Sequence, residues 1–192
     1  MKKLSSILMI AFAACALQAC QGPKDSKGAA DSANAVKDTT TSGLTGIGVD
    51  KADAEFAVKA ANGGMTEIAL SQLAVEKAIN NKVKDFATMM VNDHSNAGNE
   101  LKGIANTKNI TLPDSVSKDS KKAIDDLSKK SVSDFDKAYV SKMIDDHKAA
   151  VSLFRDAAKN LKDPDLKAFV DKTLPIIQKH LAAIIDIHDT MK

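Results

Sequence analysis

From about Asp50 to the C-terminus, apolar residues recur at steps of three and four along four segments of about 25 residues each, and this period admits little other than amphipathic α-helices. The first segment, about Asp53 to Ile79, carries Phe56, Ala60, Ile68, Leu70, Leu73 and Ala74 on one side. Asn80-Asn81 then marks a tight turn, and the second, about Lys82 to Thr107, repeats the pattern with Phe86, Met90, Ala97, Leu101 and Ile104. The third, with Ser133 as its expected N-cap, reaches about Asn160 through Val140, Met143, Val151, Phe154 and Ala158. The fourth opens at Asp163-Pro164, cap followed by first-turn proline, and continues through Leu166, Phe169, Leu174, Ile177, Ile184 and Ile187.

Connection lengths then select a topology. Segments one and two are joined by a few residues, as are three and four, so each pair is expected to form an antiparallel hairpin. Between the hairpins lies the stretch from Asn109 to Val132, containing Pro113 and a short helical piece near Lys118 to Lys129, long enough to recross the molecule. The expected fold class is therefore all-α: a ferritin-like four-helix bundle of two antiparallel hairpins, joined by a long crossover with a short helix, over residues 51–192.

The N-terminal quarter reads differently. Lys2 and Lys3 precede an uncharged apolar run from Leu4 to Ala16, and Leu17-Gln18-Ala19-Cys20 is similar to the lipobox of bacterial lipoprotein signals, in which the cysteine becomes acylated. Residues 1–19 are expected to be a signal peptide. Residues 20–50 are expected to be the lipidated Cys20 and a flexible tether of small and polar residues, reaching about 30 Å. Gln21, in place of an aspartate, points to outer-membrane sorting, so the expected location is the cell envelope, on an outer-membrane lipoprotein facing the periplasm or the cell surface. Membrane contact is expected through this anchor alone.

Charge and cysteine usage exclude several functions. The chain holds 27 Lys+Arg and 25 Asp+Glu, and losing Lys2 and Lys3 leaves 25 of each. Without Trp, and with Tyr139 as the one tyrosine, a neutral domain of this kind offers nucleic acid little to bind. Cys15 leaves with the signal and Cys20 is acylated, so the mature domain has no thiol for a disulfide, a zinc thiolate or a nucleophile.

Chemistry is left to histidine. His94, His147 and His180 lie on or beside the inward stripes near the middle of their helices, while His188 lies near the C-terminus, away from them. Glu67 borders the same interior from the first helix. Glu67, His94, His147 and His180 together could hold one transition metal ion, because neutral imidazole suits copper, zinc and iron. Equally, each histidine could be a buried polar group satisfied by its neighbours. Asp93 and Asp146 each precede a histidine and could orient one on another helix. Met90 and Met143, one turn before a histidine, could add thioethers to a copper set, or simply fill the core. Nearby, Gly63-Gly64 disturbs the first helix just before Glu67, and Pro175 is expected to kink the fourth one turn before His180.

The ordered series Phe56 to Glu67 with its paired glycines, Val83 to Phe86 followed by Met90 and Asp93-His94, Phe135-Asp136 followed by Met143 and Asp146-His147, and Leu174-Pro175 followed by His180-Leu181 resembles the envelope family called domain of unknown function 4142. The likeness covers about Asp50 to Ile187. It implies a ferritin-like bundle in an exported protein and marks Glu67, His94, His147 and His180 as the characteristic polar positions. It implies no established activity, and no Glu-x-x-His pair of the di-iron type occurs in the chain. Two readings follow. One is a metal binder with His94, His147 and His180 as nitrogen ligands and Glu67 as an oxygen ligand or orienting group. The other is a structural or interaction module meeting an envelope protein or cell-wall polymer. No Ser-His-Asp order, phosphate loop or paired glutamates favour an enzyme.

Overall fold

The computed structural model describes residues 25–39 and 49–191. Within them the chain is all-α: six helices, α1 (Ser26–Thr39), α2 (Lys51–Lys77), α3 (Asn81–Thr107), α4 (Lys118–Ser128), α5 (Val132–Asn160) and α6 (Pro164–Thr190), with no strand among the described residues. The expected signal peptide, Cys20, Gln21 and the parts of the expected tether at 20–24 and 40–48 lie outside the described residues. Among the described residues no helix is long and apolar enough to cross a membrane.

Local chemistry sets the boundaries. Asn80 caps α3 by accepting from the Lys82 amide, and Asp163 caps α6 by accepting from the Asp165 and Leu166 amides, with Pro164 in the first turn. The cap of α5 is Ser131, two residues before the expected Ser133. Just past the end of α3, Asn109 has a φ of 55°, which lets the Ile110 amide turn back onto the Ala105 carbonyl at 2.8 Å. That is a Schellman closure with asparagine where glycine is commoner. Helix α2 runs through Gly63-Gly64 without a break, and α6 runs through Pro175.

The four long helices pack α2 on α3, α3 on α6, α6 on α5 and α5 on α2. At one end the start of α2 meets the end of α5: Asp53 accepts from the amides of Lys162 and Asp163 at 3.2 and 2.7 Å. At the other, Asp136 in the first turns of α5 accepts from Ile79 and Asn80 at 3.2 and 2.8 Å. Each hairpin thus lends a buried carboxylate to the tight turn of the other. The segment between α3 and α5 travels the length of the body, and α4 packs on α2 and α5 as it does so.

Two apolar clusters fill the interior. One gathers Phe56, Leu101, Phe154, Leu166, Phe169 and Ile177, with Phe56 and Phe154 edge to face at 5.2 Å. The other gathers Leu70, Phe86, Met90, Phe135, Tyr139, Met143 and Ile184. On all four helices the polar residues singled out from sequence fall between them: Glu67 before Leu70, His94 after Met90, His147 between Met143 and Val151, and His180 between Ile177 and Ile184.

The expected tether from 20 to 50 needs correction over Ser26–Thr39. There the chain is helix α1, packed on α2. It escapes a search for apolar periodicity because it buries little apolar surface, with Ala30 and Asn34 turned inward. Polar contacts hold it instead. The Asn34 side chain donates to the Thr111 carbonyl at 2.9 Å and accepts from the Thr111 amide at 2.7 Å, while Lys37 Nζ donates to the Asn109 carbonyl at 2.9 Å.

Candidate metal centre

Because Glu67, His94, His147 and His180 stand at one level on four different helices, the packing brings them together. The imidazole centroids of His94, His147 and His180 form a nearly equilateral triangle with sides of 5.9, 5.6 and 5.7 Å. One ligating nitrogen from each lies within 4.8 Å of the other two. His147 is fully buried and His180 is 3% exposed. Phe86 closes the side facing the second apolar cluster, with its ring 6.3 Å from that of His147 and 6.4 Å from that of His180.

His147 and His180 each have one nitrogen hydrogen-bonded, and each of the three rings keeps one buried nitrogen without a partner. His147 Nδ1 lies 2.9 Å from the Met143 carbonyl, one turn back on its own helix. A carbonyl can only accept, so Nδ1 carries the proton and Nε2 keeps its lone pair. His180 Nε2 lies 2.9 Å from Asp93 Oδ2 on α3, which by the same logic leaves the Nδ1 lone pair free. His94 Nδ1 lies 3.3 Å from Glu67 Oε2. The atoms left buried with no hydrogen-bond partner include His94 Nε2, His147 Nε2 and His180 Nδ1, one per ring.

Glu67 straddles two of the rings, with Oε1 3.3 Å from His147 Nδ1 and Oε2 3.3 Å from His94 Nδ1. These contacts join formally opposite groups, yet they are not ion pairs in the metal-free protein. Burial, with Asp146 nearby, pushes the Glu67 carboxyl up to about 8. Burial, with His147 and His180 nearby, pushes His94 down to about 3, and burial brings His147 to about 4 against the pull of the Met143 carbonyl. At neutral pH Glu67 is therefore an uncharged acid beside the uncharged imidazoles of His94 and His147. A divalent cation at its centre would reverse that preference at Glu67 and favour the carboxylate.

Several residues take roles other than the simplest ones expected. Glu67 lies against the Nδ1 edges of His94 and His147, opposite their nitrogens without partners; among the described residues, the set of potential ligands that converges is the three histidines. Asp93 reaches a histidine on another helix, as its position allowed. Asp146 does not: its Oδ1 pairs with Lys142 at 2.5 Å, and its Oδ2 is buried without a partner. Met90 and Met143 are fully buried in the second apolar cluster, and it is the backbone carbonyl of Met143 that serves the site. His188 stays apart beside Asp189. Sequence reasoning did not single out Phe86 or Lys142 as site residues. Phe86 shares a stripe with Met90 and His94 at four-residue steps, which is the signal that would have placed it at the centre.

A cleft of about 1370 Å³ leads to this cluster from the side of the first apolar cluster. Glu67, His94 and His180 line it; His147 does not.

The family model described as "Domain of unknown function (DUF4142)" matches residues 25–187. Among solved structures, the chain is similar to the crystal structure of a DUF305 fragment from Deinococcus radiodurans, with a TM-score of 0.67 and 11% identity, over 74% of this chain and 98% of that one. At that identity the likeness concerns the fold. No match is found among curated proteins.

Proposed function

The chain belongs to the DUF4142 family, and from that premise we propose that it is an envelope protein whose helical body, a ferritin-like four-helix bundle, binds one transition metal ion through His94, His147 and His180. The observation that carries this reading is the set of three buried imidazole nitrogens without partners, one from each ring, with the opposite nitrogens of His147 and His180 hydrogen-bonded to the Met143 carbonyl and Asp93 and that of His94 lying against Glu67. Burying several unsatisfied polar atoms at one level is unfavourable unless something satisfies them. A metal ion does so in one step, and the engaged nitrogens are the orienting contacts that metal-binding histidines use. Nitrogen donors without thiolate suit copper, zinc or iron. A tetrahedral ion with Zn–N of about 2.0–2.1 Å keeps its ligands about 3.4 Å apart, so loading would draw the rings inward.

Export and anchoring complete the proposal. The signal at residues 1–19 and lipidation at Cys20 would place the protein on a membrane surface, most simply the outer membrane. With Asp25 hydrogen-bonded to the Lys118 amide and α1 packed on the body, the link from Cys20 to Asp25 spans at most about 18 Å of extended chain. The domain would then rest close to the lipid.

Metal analysis of the untagged mature protein, with thermal unfolding in copper, zinc, iron and manganese salts, tests the metal reading. A ligand binding only the folded state at 100 times its Kd adds about 2.7 kcal/mol. His94→Ala and His147→Ala should each abolish that gain. No bound metal and no shift would instead favour a structural or interaction module of the envelope.

A further inference from the structure

Three nitrogen donors leave a tetrahedral ion one position short, and what faces that position is decided by the surroundings. On one side Phe86 and the second apolar cluster close it. On the other, the cleft reaches His94, His180 and Glu67, and among the buried atoms without partners are His180 Nδ1 and Glu67 Oε1, on residues that are 3% and 4% exposed. Leu101, Leu153, Phe154, Phe169 and Ile177 supply apolar wall to the cleft, and polar and charged residues including Asn62, Asn99, Lys102 and Lys172 line it too.

The cleft is also built into the sequence. Gly63 and Gly64 stand side by side in the interior of α2 and line it, and Ala97 and Ala150 line it from α3 and α5. Glycine is unfavourable inside a helix, so its presence calls for a local reason. A Cβ added at Gly63 would meet nothing within 4 Å, and one at Gly64 would sit 3.8 Å from His94 Nδ1. Gly64 therefore leaves space beside His94, and Gly63 leaves open space in the adjoining wall of the cleft that a larger side chain would occupy.

We propose that the open position of the metal receives an exogenous Lewis base carrying an apolar body, its head group on the ion and its body along the wall formed by Leu101, Leu153, Phe154 and Phe169. This rests on the metal reading above and adds to it the class of ligand. Head and body would be recognised by different groups, the head by the ion among the imidazoles and the body by these apolar side chains. Affinity should then depend on both ends of the molecule.

The protein loaded with Co²⁺ reports on this through its visible absorption. Titrations with imidazole and 4-phenylimidazole, and with acetate and octanoate, compare a head alone with the same head on an apolar body. The larger member of each pair should perturb the cobalt spectrum at concentrations at least ten-fold lower. Gly63→Leu should leave cobalt affinity unchanged and remove that advantage, and Ala97→Leu, filling the opposite wall, should do the same. A cobalt spectrum indifferent to all four compounds overturns the proposal, as does equal binding of large and small members, or a preference that survives Gly63→Leu. Absence of any cobalt spectrum would instead remove the underlying metal reading, and this proposal with it.

Discussion

His180 on α6 reaches across to Asp93 on α3, with Nε2 and Oδ2 2.9 Å apart, and this contact fixes which nitrogen of the ring is left for a ligand. Asp93 is 41% exposed on its side chain, so removing it takes little from the core. Asp93→Ala is expected to lower metal affinity about 10–100-fold, the usual effect of losing an orienting partner, with the unfolding midpoint of the metal-free protein nearly unchanged. Competition with a chromogenic chelator measures the first and urea unfolding the second. Met90→Leu and Met143→Leu serve as controls that leave affinity intact, because both side chains belong to the apolar cluster.

The metal-free protein should be most stable near pH 6.5. Glu67 at about 8 lies above its ordinary 4.5, so its contribution is fully present below about pH 4.5 and is lost as pH rises toward 8. His94 at about 3 and His147 at about 4 lie below 6.5, so theirs is present above pH 6.5 and lost as pH falls. Between 4.5 and 6.5 two imidazoles outweigh one carboxyl; above 6.5 Glu67 acts alone. Stability should decline on both sides by about 1 kcal/mol per pH unit. Urea midpoints from pH 5 to 9 in chelator test this, and Glu67→Gln should flatten the alkaline arm and steepen the acid one, where the two imidazoles then act unopposed.

Losing either buried clasp should weaken the whole body. Asp136→Ala strips the Ile79 and Asn80 amides of their acceptor, and Asp53→Ala does the same to Lys162 and Asp163. Each is expected to cost roughly 2–4 kcal/mol, as charge-assisted bonds to buried amides do. Denaturant midpoints should fall with an unchanged slope.

Helix α1 should open separately from the rest. Its attachment to Asn109 and Thr111 is polar, and it adds little to either apolar cluster. Asn34→Ala should raise amide exchange throughout Ser26–Thr39 and at Thr111, while the amides of α2, α3, α5 and α6 keep their protection. A uniform rise across all helices would argue that α1 is part of the cooperative unit.

The long helices were legible because each writes an apolar stripe at the helical period, and the histidines were legible because they interrupt those stripes at one level. Helix α1 was not, since periodicity senses apolar faces and α1 docks through Asn34 and Lys37. The distinction between ligand and orienting group at Glu67 was equally hidden. It depends on which edge of each ring the carboxylate meets, and spacing along a helix cannot specify that. Asp93 and Asp146, alike in sequence as the residues before a histidine, part company in space because their helices face different neighbours: Asp93 meets His180, and Asp146 meets Lys142.

The exchanged carboxylates of Asp53 and Asp136 bear on how the two halves of the chain depend on one another. A polypeptide severed within the crossover would yield pieces that each expose unanswered amides at their own bend and carry the acceptor required by the other's. Neither piece is self-sufficient, and mixing them should restore both bends at once. Reassembly of this kind would be selective, because an unrelated helical hairpin without an acid at the matching depth would leave one bend unanswered.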